Sequence, residues 1–226
     1  MRRIRKGVQR SMGRLRSLTG ELVCSETRCD TFGEYLEKVQ WAVRPASLTE
    51  DPGTGNVAPI LPMDLGPINE PELREAVRAF KPGKACGPDE VPVEYWKAVL
   101  TTDGANEAVR WLLRFVNSAW QGKKVPQSWH LQIVSMIFKK GEDADCGNYR
   151  PICLLNSAYK IFATIILRRL IKGGADDRIA ASQFGFRRRR GTEDALHCAR
   201  RAMELAQAHK HGRLYMLALD CRKAFD

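Results

Sequence analysis

The stretch "LNSAYKIFATIILRRLIK" (155–172) limits what this chain can fold into more than any other part of it. Leu155, Ala158, Ile161, Phe162, Ile165, Ile166 and Leu170 recur at spacings of three and four, the pattern of a helix with one wide apolar face. A second run shows the same kind of pattern. Across 105–120, Val109, Leu112, Leu113, Val116 and Trp120 share one helical face, widened by Trp111 and Phe115. Between the two helices, "HLQIVSMIFKK" (130–140) has the β-branched, apolar character of a strand. "RPICLL" (150–155) can pair with it across the polar loop "GEDADCGNY". The expectation is a helix-rich α+β fold with a hairpin between its two strongest helices.

Shorter elements surround this centre. "TFGEYLEKVQWA" (31–42) predicts a helix with Thr31 as N-cap and Glu34 completing a capping box. The Gly/Pro-dense stretch 51–68 predicts a linker. "NEPELREAVRAF" (69–80) starts with Asn69 and Glu72 at capping-box spacing, and "KPG" ends it. A turn fixed by Gly87, Pro88, Asp89 and Pro92 then enters another short helix. "GTEDALHCARRAMELAQAHKHG" predicts a helix capped by Thr192, with Glu193 and Asp194 in its first turn. Finally "RLYMLALD" (213–220) is a continuous apolar run bounded by charge, the pattern of an interior strand covered on both faces.

Charge adds a constraint on partners. The formal net charge is +11, and the first 16 residues hold seven Arg/Lys and no acid, leaving 30 basic against 26 acidic groups elsewhere. A basic arm suits a polyanion. It equally suits a solvated tail or an Arg-rich organellar import segment. Seven scattered cysteines without a CxxC pair fit a reducing compartment better than a disulfide framework or zinc site. No apolar run reaches the length of a membrane span, so an intracellular chain in the nucleus or cytoplasm is expected, with mitochondrial import as the other option.

Three clusters bear on chemistry. Lys139, Lys140 and Arg150 flank the hairpin loop. Convergent ammonium and guanidinium groups suit a triphosphate, although charged hairpin tips commonly serve solubility, and spacing alone favours that. In "QFGFRRRRGTEDAL", two aromatics flank Gly185 and four arginines precede a helix start. Aromatics can stack on bases while Arg meets backbone phosphate, or the segment is a solvated loop with an apolar anchor. At the C-terminus, Asp220 follows the apolar run and Asp226 follows Phe225. Carboxylates at a strand end suit a divalent metal. On spacing alone a helix N-cap after a strand is the favoured reading. There is no GxSxG, HExxH or P-loop.

Taken in order, "GKACGPDEVPVEYWK", "VPQSWHLQIVSMIFKKG", "NYRPICLLNSAYKIFATIILRRL", "QFGFRRRRGTEDAL" and "LALDCRKAFD" resemble the N-terminal half of a reverse transcriptase domain of a non-LTR, LINE-type retrotransposon. The resemblance covers roughly 69–226, and 31–42 resembles the segment that precedes this domain. It implies a right-hand polymerase fold truncated to the helix-rich fingers and first palm strand. Residues 1–50 would be a basic arm with a short helix, 51–68 a linker, 69–212 the fingers, and 213–226 the opening of the palm. Lys139 and Arg150 would then contact the triphosphate of an incoming nucleotide, and Gln183, Phe184, Gly185, Phe186 and Arg187 the template side. Asp220 would be the first catalytic metal ligand, with two Mg2+ ions in the complete enzyme. Phe225 would lie under the sugar and exclude a 2′-hydroxyl. The implied partners are an RNA template, a DNA primer or target and deoxynucleoside triphosphates.

Two positions depart from the family's pattern. Phe138 stands where a Pro is usual, and Glu90 replaces a turn Gly. The paired-aspartate motif of such enzymes is not among these 226 residues, so the chain by itself is expected to be inactive. The rival expectation is a non-catalytic nucleic-acid-binding remnant.

Overall fold

The computed structural model describes residues 14–42, 60–101, 107–122, 124–209 and 212–220. Four helices make the main core: α2 (Glu70–Ala79), α3 (Val93–Thr101), α4 (Glu107–Gly122) and α5 (Ser157–Lys172). Their apolar stripes meet at Ile68, Leu73, Val77, Trp96, Leu112, Val116, Ile161 and Ile165, all buried. Phe162 and Ala158 pack at its margin, so the periodicity of α5 is used as its sequence predicts. Trp111 stacks on Phe115 with ring centroids 5.2 Å apart, yet remains 52% exposed.

Local chemistry sets the helix starts. Asn69 accepts from the Glu72 N–H at 3.0 Å, while Glu72 accepts from the Asn69 N–H at 3.0 Å, the capping box expected for α2. α5 is capped from far away. The Asp89 carboxylate accepts from both the Ser157 N–H (2.7 Å) and its hydroxyl (2.8 Å), and Trp96 Nε1 donates to Ser157 Oγ at 2.8 Å. Asn156, the residue before the helix, instead accepts from the Asp89 N–H and donates to the Ser128 carbonyl. This cross-tie requires the turn at 87–90 to press against the start of α5. Gly87 allows it, because a Cβ there would collide with the Leu155 carbonyl and lie 2.6 Å from Asn156 N. Glu90 sits at φ +52°, the left-handed region that glycine favours. The departure seen in the sequence is therefore a real conformational mismatch.

Residues 60–69 have no regular structure but are firmly held. Arg169 of α5 is buried and donates five hydrogen bonds: to both Glu72 carboxylate oxygens (2.7 and 2.8 Å) and to the carbonyls of Asp64, Gly66 (twofold partner of its Nη1 with Asp64) and Pro67. Trp120 lies beneath its guanidinium at 5.6 Å. The hydrogen bond from Arg169 holds the Glu72 carboxyl below its ordinary range, against the opposing push of burial. Asn117 brackets the same segment by accepting from the Ile68 N–H and donating to its carbonyl.

A two-stranded antiparallel sheet, β1 (Ile133–Phe138) with β2 (Tyr149–Leu154), joins α4 to α5. Its inner face, Val134, Met136, Phe138 and Tyr149, covers a second cluster formed with Leu15, Phe32, Tyr35, Leu36 and Cys146. The last helix, α6 (Thr192–Ala208), has no buried residue.

Three sequence expectations need correction. The first helix, α1, spans Arg28–Tyr35 and continues as a π-helical turn, Leu36–Gln40. Thr31 is therefore inside it, and its hydroxyl donates to the Thr27 carbonyl at 2.9 Å instead of capping. In α6, Thr192 is the first helical residue and Gly191 precedes it as the cap, its N–H donating to Asp194 at 2.8 Å. The run 213–220 forms no strand: residues 212–220 carry no regular structure and are exposed throughout. A strand needs a hydrogen-bonded neighbour, and apolar composition cannot supply one.

Candidate nucleotide- and template-facing site

The hairpin register decides where its cations lie. Phe138 pairs with Tyr149 and Ile137 with Arg150, and the Lys139 N–H continues the ladder by donating to the Asn148 carbonyl at 2.8 Å. Successive strand residues alternate faces, so Phe138 and Tyr149 turn inward while Lys139 and Arg150 share the outer face as diagonal neighbours. Such neighbours have Cα atoms about 7–8 Å apart, within reach of long side chains. Both residues are exposed, and neither side chain has a hydrogen bond or ion pair among the described residues. Ile137 (53% exposed) and Ile152 (42%) complete this open face. Phe138, in the place of the usual Pro, keeps the strand regular: its ring packs on Tyr149 at 5.3 Å.

The loop between the strands is structured. Gly141 takes φ +100°, Asn148 Nδ2 donates to the Glu142 carbonyl at 2.9 Å, and Asp145 accepts from the Gly147 N–H at 2.8 Å. Residues 14–42 grip it from outside. The Arg16 N–H donates to the Ala144 carbonyl at 2.7 Å, and Arg16 pairs with Glu142 at 3.0 Å. Leu15 is buried against the same loop cluster. The sequence shows the first 16 residues as a basic, acid-free arm, and nothing in that pattern marks Leu15 as a buried anchor.

In the 183–190 segment the residues do not act alike. Phe186 is 96% exposed at φ +59°. Phe184 is half-buried, with the Arg190 guanidinium 5.7 Å from its ring centroid. Gln183 Nε2 donates to the Gly185 carbonyl at 3.2 Å. Arg187, by contrast, turns inward: it donates to the carbonyls of Ala180 and Asp176, both at 3.1 Å, and its side chain is only 12% exposed beside the Asp176 carboxylate. It holds the loop together, a role that its place in a run of four arginines does not reveal.

Asp220 is exposed, and no three His, Cys, Asp or Glu side chains gather anywhere among the described residues. Asp220 by itself does not fit a magnesium site, since a hard dication in such a centre takes several oxygens at once. Phe225 and Asp226 lie outside the described residues. No described helix is long and apolar enough to cross a membrane.

Residues 137–226, which hold the cationic hairpin, the Gln183–Arg190 loop and Asp220, match the family described as reverse transcriptase (RNA-dependent DNA polymerase). That stretch belongs to the family and carries part of its domain. Relatives that the chain matches are proteins of retrotransposable and mobile elements. It is 30% identical over 174 residues to a Pol polyprotein of the type-1 retrotransposable element R1 from Bradysia coprophila, covering 75% of this chain and 16% of the relative. It is also 30% identical over 206 residues to a probable RNA-directed DNA polymerase from the Drosophila melanogaster X-element, covering 88% and 22% respectively. The RNA-directed DNA polymerase of the mobile element jockey from Drosophila funebris is 30% identical over 169 residues, 74% of this chain and 18% of the relative. These alignments are longer than the family match, so similarity extends into the helices that precede residue 137. The chain spans only about a sixth to a fifth of the length of these relatives.

Proposed function

We propose that this chain forms the fingers and the opening of the palm of an RNA-directed DNA polymerase, which extends a DNA 3′ end on an RNA template from deoxynucleoside triphosphates. One observation carries the reading: the hairpin register sets Lys139 and Arg150 on one open face, free of protein partners among the described residues, within the stretch that matches the family. Two cations that nothing else neutralises there are suited to triphosphate oxygens, Arg by paired donors and Lys as a point charge. Gln183, Phe184, Gly185 and the exposed Phe186 would meet template and nucleotide, with Arg187 shaping their loop. Domain boundaries near 68 and 212 follow from the same reading.

Asp220 would give the first carboxylate for the two magnesium ions of the family, and Phe225 would bar a 2′-hydroxyl from beneath the sugar. This chain's own contribution, on the described residues, is to bind and orient the triphosphate. Template and primer would meet in the nucleus or cytoplasm, with mitochondrial import through the Arg-rich N-terminus as the other option.

Because no other carboxylates gather with Asp220 among the described residues, the 226 residues by themselves are expected to bind nucleic acid and triphosphate without synthesis. That same isolation favours the second reading, a nucleic-acid-binding remnant. Purified chain with an oligo(dT)-primed poly(A) template, dTTP and magnesium should show no extension, and Lys139→Ala with Arg150→Ala should weaken triphosphate binding by roughly tenfold. Primer extension abolished by Asp220→Ala would overturn the expected inactivity. Unchanged triphosphate affinity in the double variant would remove the nucleotide site.

A further inference from the structure

On the open face of the hairpin the two cations have no hydrogen bond or ion pair among the described residues, whereas the inner face is packed. That face is anchored at one residue pair. Phe138 and Tyr149 are cross-strand partners, and each directly precedes one of the cations, Lys139 and Arg150. The Tyr149 ring is enclosed by Phe32 (4.9 Å between centroids, edge-on) and Phe138 (5.3 Å). Its hydroxyl donates to the Asp143 carbonyl at 2.7 Å and accepts from Arg28 Nη2 at 3.1 Å. The Arg28 guanidinium also lies over both the Phe32 and Tyr149 rings, at 5.5 and 5.7 Å. α1 thus reaches across more than a hundred residues of sequence to hold the root of β2 and the loop at one point.

We infer that Arg28 and Tyr149 are positioning residues for the triphosphate, setting the separation and direction of Lys139 and Arg150 through the Phe138–Tyr149 pair. This rests on the nucleotide site proposed above and assigns to the segment before the fingers a part in substrate binding. The physical reason is adjacency on one strand: Tyr149 and Arg150 are consecutive residues on opposite faces, so displacing the strand at Tyr149 displaces Arg150 as well. A Tyr ring wedged between two aromatics and tied at its hydroxyl cannot shift without losing both the Arg28 and the Asp143 bond. The Arg28 cation over two rings adds an attraction that an uncharged side chain would not give.

The test uses the full 226-residue chain and inorganic tripolyphosphate as probe, with affinity by calorimetry, hydrogen exchange at the 139–150 amides and thermal unfolding followed together. Arg28→Ala and Tyr149→Phe should each weaken tripolyphosphate by at least about threefold and speed exchange at 143–150, while Arg28→Lys should recover part of both. Lys139→Ala and Arg150→Ala should weaken binding without changing exchange. If Arg28→Ala and Tyr149→Phe speed exchange or lower the melting point but leave affinity unchanged, α1 merely stabilises the loop and the positioning role is overturned. If Lys139→Ala and Arg150→Ala leave affinity unchanged, or wild type does not bind, the nucleotide site itself fails and the inference falls with it.

Discussion

The α2–α5 core and the C-terminal run from α6 to Asp220 have similar shares of apolar residues but use them in opposite ways. In the core, Leu73, Leu112 and Ile161 are fully buried, and the buried Arg169 places all five of its N–H groups on acceptors. In the C-terminal run, Leu196, Leu205, Tyr215, Leu217 and Leu219 are exposed, the last two at 83%. The contrast separates two demands on a sequence. Helices can cover one another within a short stretch of chain, whereas a strand is completed only by a neighbour. The core should therefore respond sharply to single changes and the C-terminal run hardly at all.

The largest effect is expected at Arg169. Arg169→Ala would leave the Glu72 carboxylate and three backbone carbonyls without their donor, and losing one partner of a buried pair costs roughly 3–5 kcal/mol. Urea unfolding should reveal it, and a loss near zero would mean that the strap over 60–69 does not stabilise the core. The pair also sets a pH dependence. Glu72 is held below its ordinary range when folded, chiefly by the Arg169 hydrogen bond. The stabilisation is then complete above the unfolded-state carboxyl value of about 4.3 and is lost as pH falls through the lower folded value. Wild type should lose stability on acidification below about pH 4, and the Arg169→Ala variant should lose less over the same range.

How much of this was legible in the sequence follows the range of the interactions. α2, α4, α5 and the hairpin are governed by spacings within a few residues, and each lies close to where its pattern places it. The sequence let Lys139 and Arg150 converge if their strands pair, and the observed register makes them diagonal neighbours on one face. Arg169 and Asp89 were illegible because their partners lie about a hundred and about seventy positions away. Arg187 looked like one of four equivalent cations, and only the fold of 176–181 distinguishes it. The strand expected at 213–220 failed for a different reason: its apolar pattern describes an environment, and no neighbouring strand supplies that environment among the described residues.

A middle-sized pair of effects sharpens the comparison inside a single turn. At Gly87 an added Cβ meets the backbone of Leu155 and Asn156, which cannot move aside as a side chain tip would. Gly87→Ala should cost about 3 kcal/mol, the upper end for overpacking. Three residues later, Glu90 is exposed at φ +52°, and Glu90→Gly should stabilise by about 1 kcal/mol by relieving the left-handed strain. Opposite signs from two positions in one turn are the expected result of chemical denaturation. Equal signs would show that the turn does not press on α5 as described.

The smallest effects belong to the C-terminal run. Leu217→Lys places a charge where an interior strand pattern forbids one, but Leu217 is 83% exposed, so little apolar contact is lost and no charge is desolvated. Its cost should stay within about 0.5 kcal/mol. Leu112→Ala, a smaller chemical change at a fully buried site, should cost roughly 2–5 kcal/mol. Unfolding curves for the two variants measured side by side decide the matter. A Leu217→Lys loss approaching that of Leu112→Ala would mean that 213–220 is covered in solution after all, by a neighbour that gives it the buried setting its composition describes.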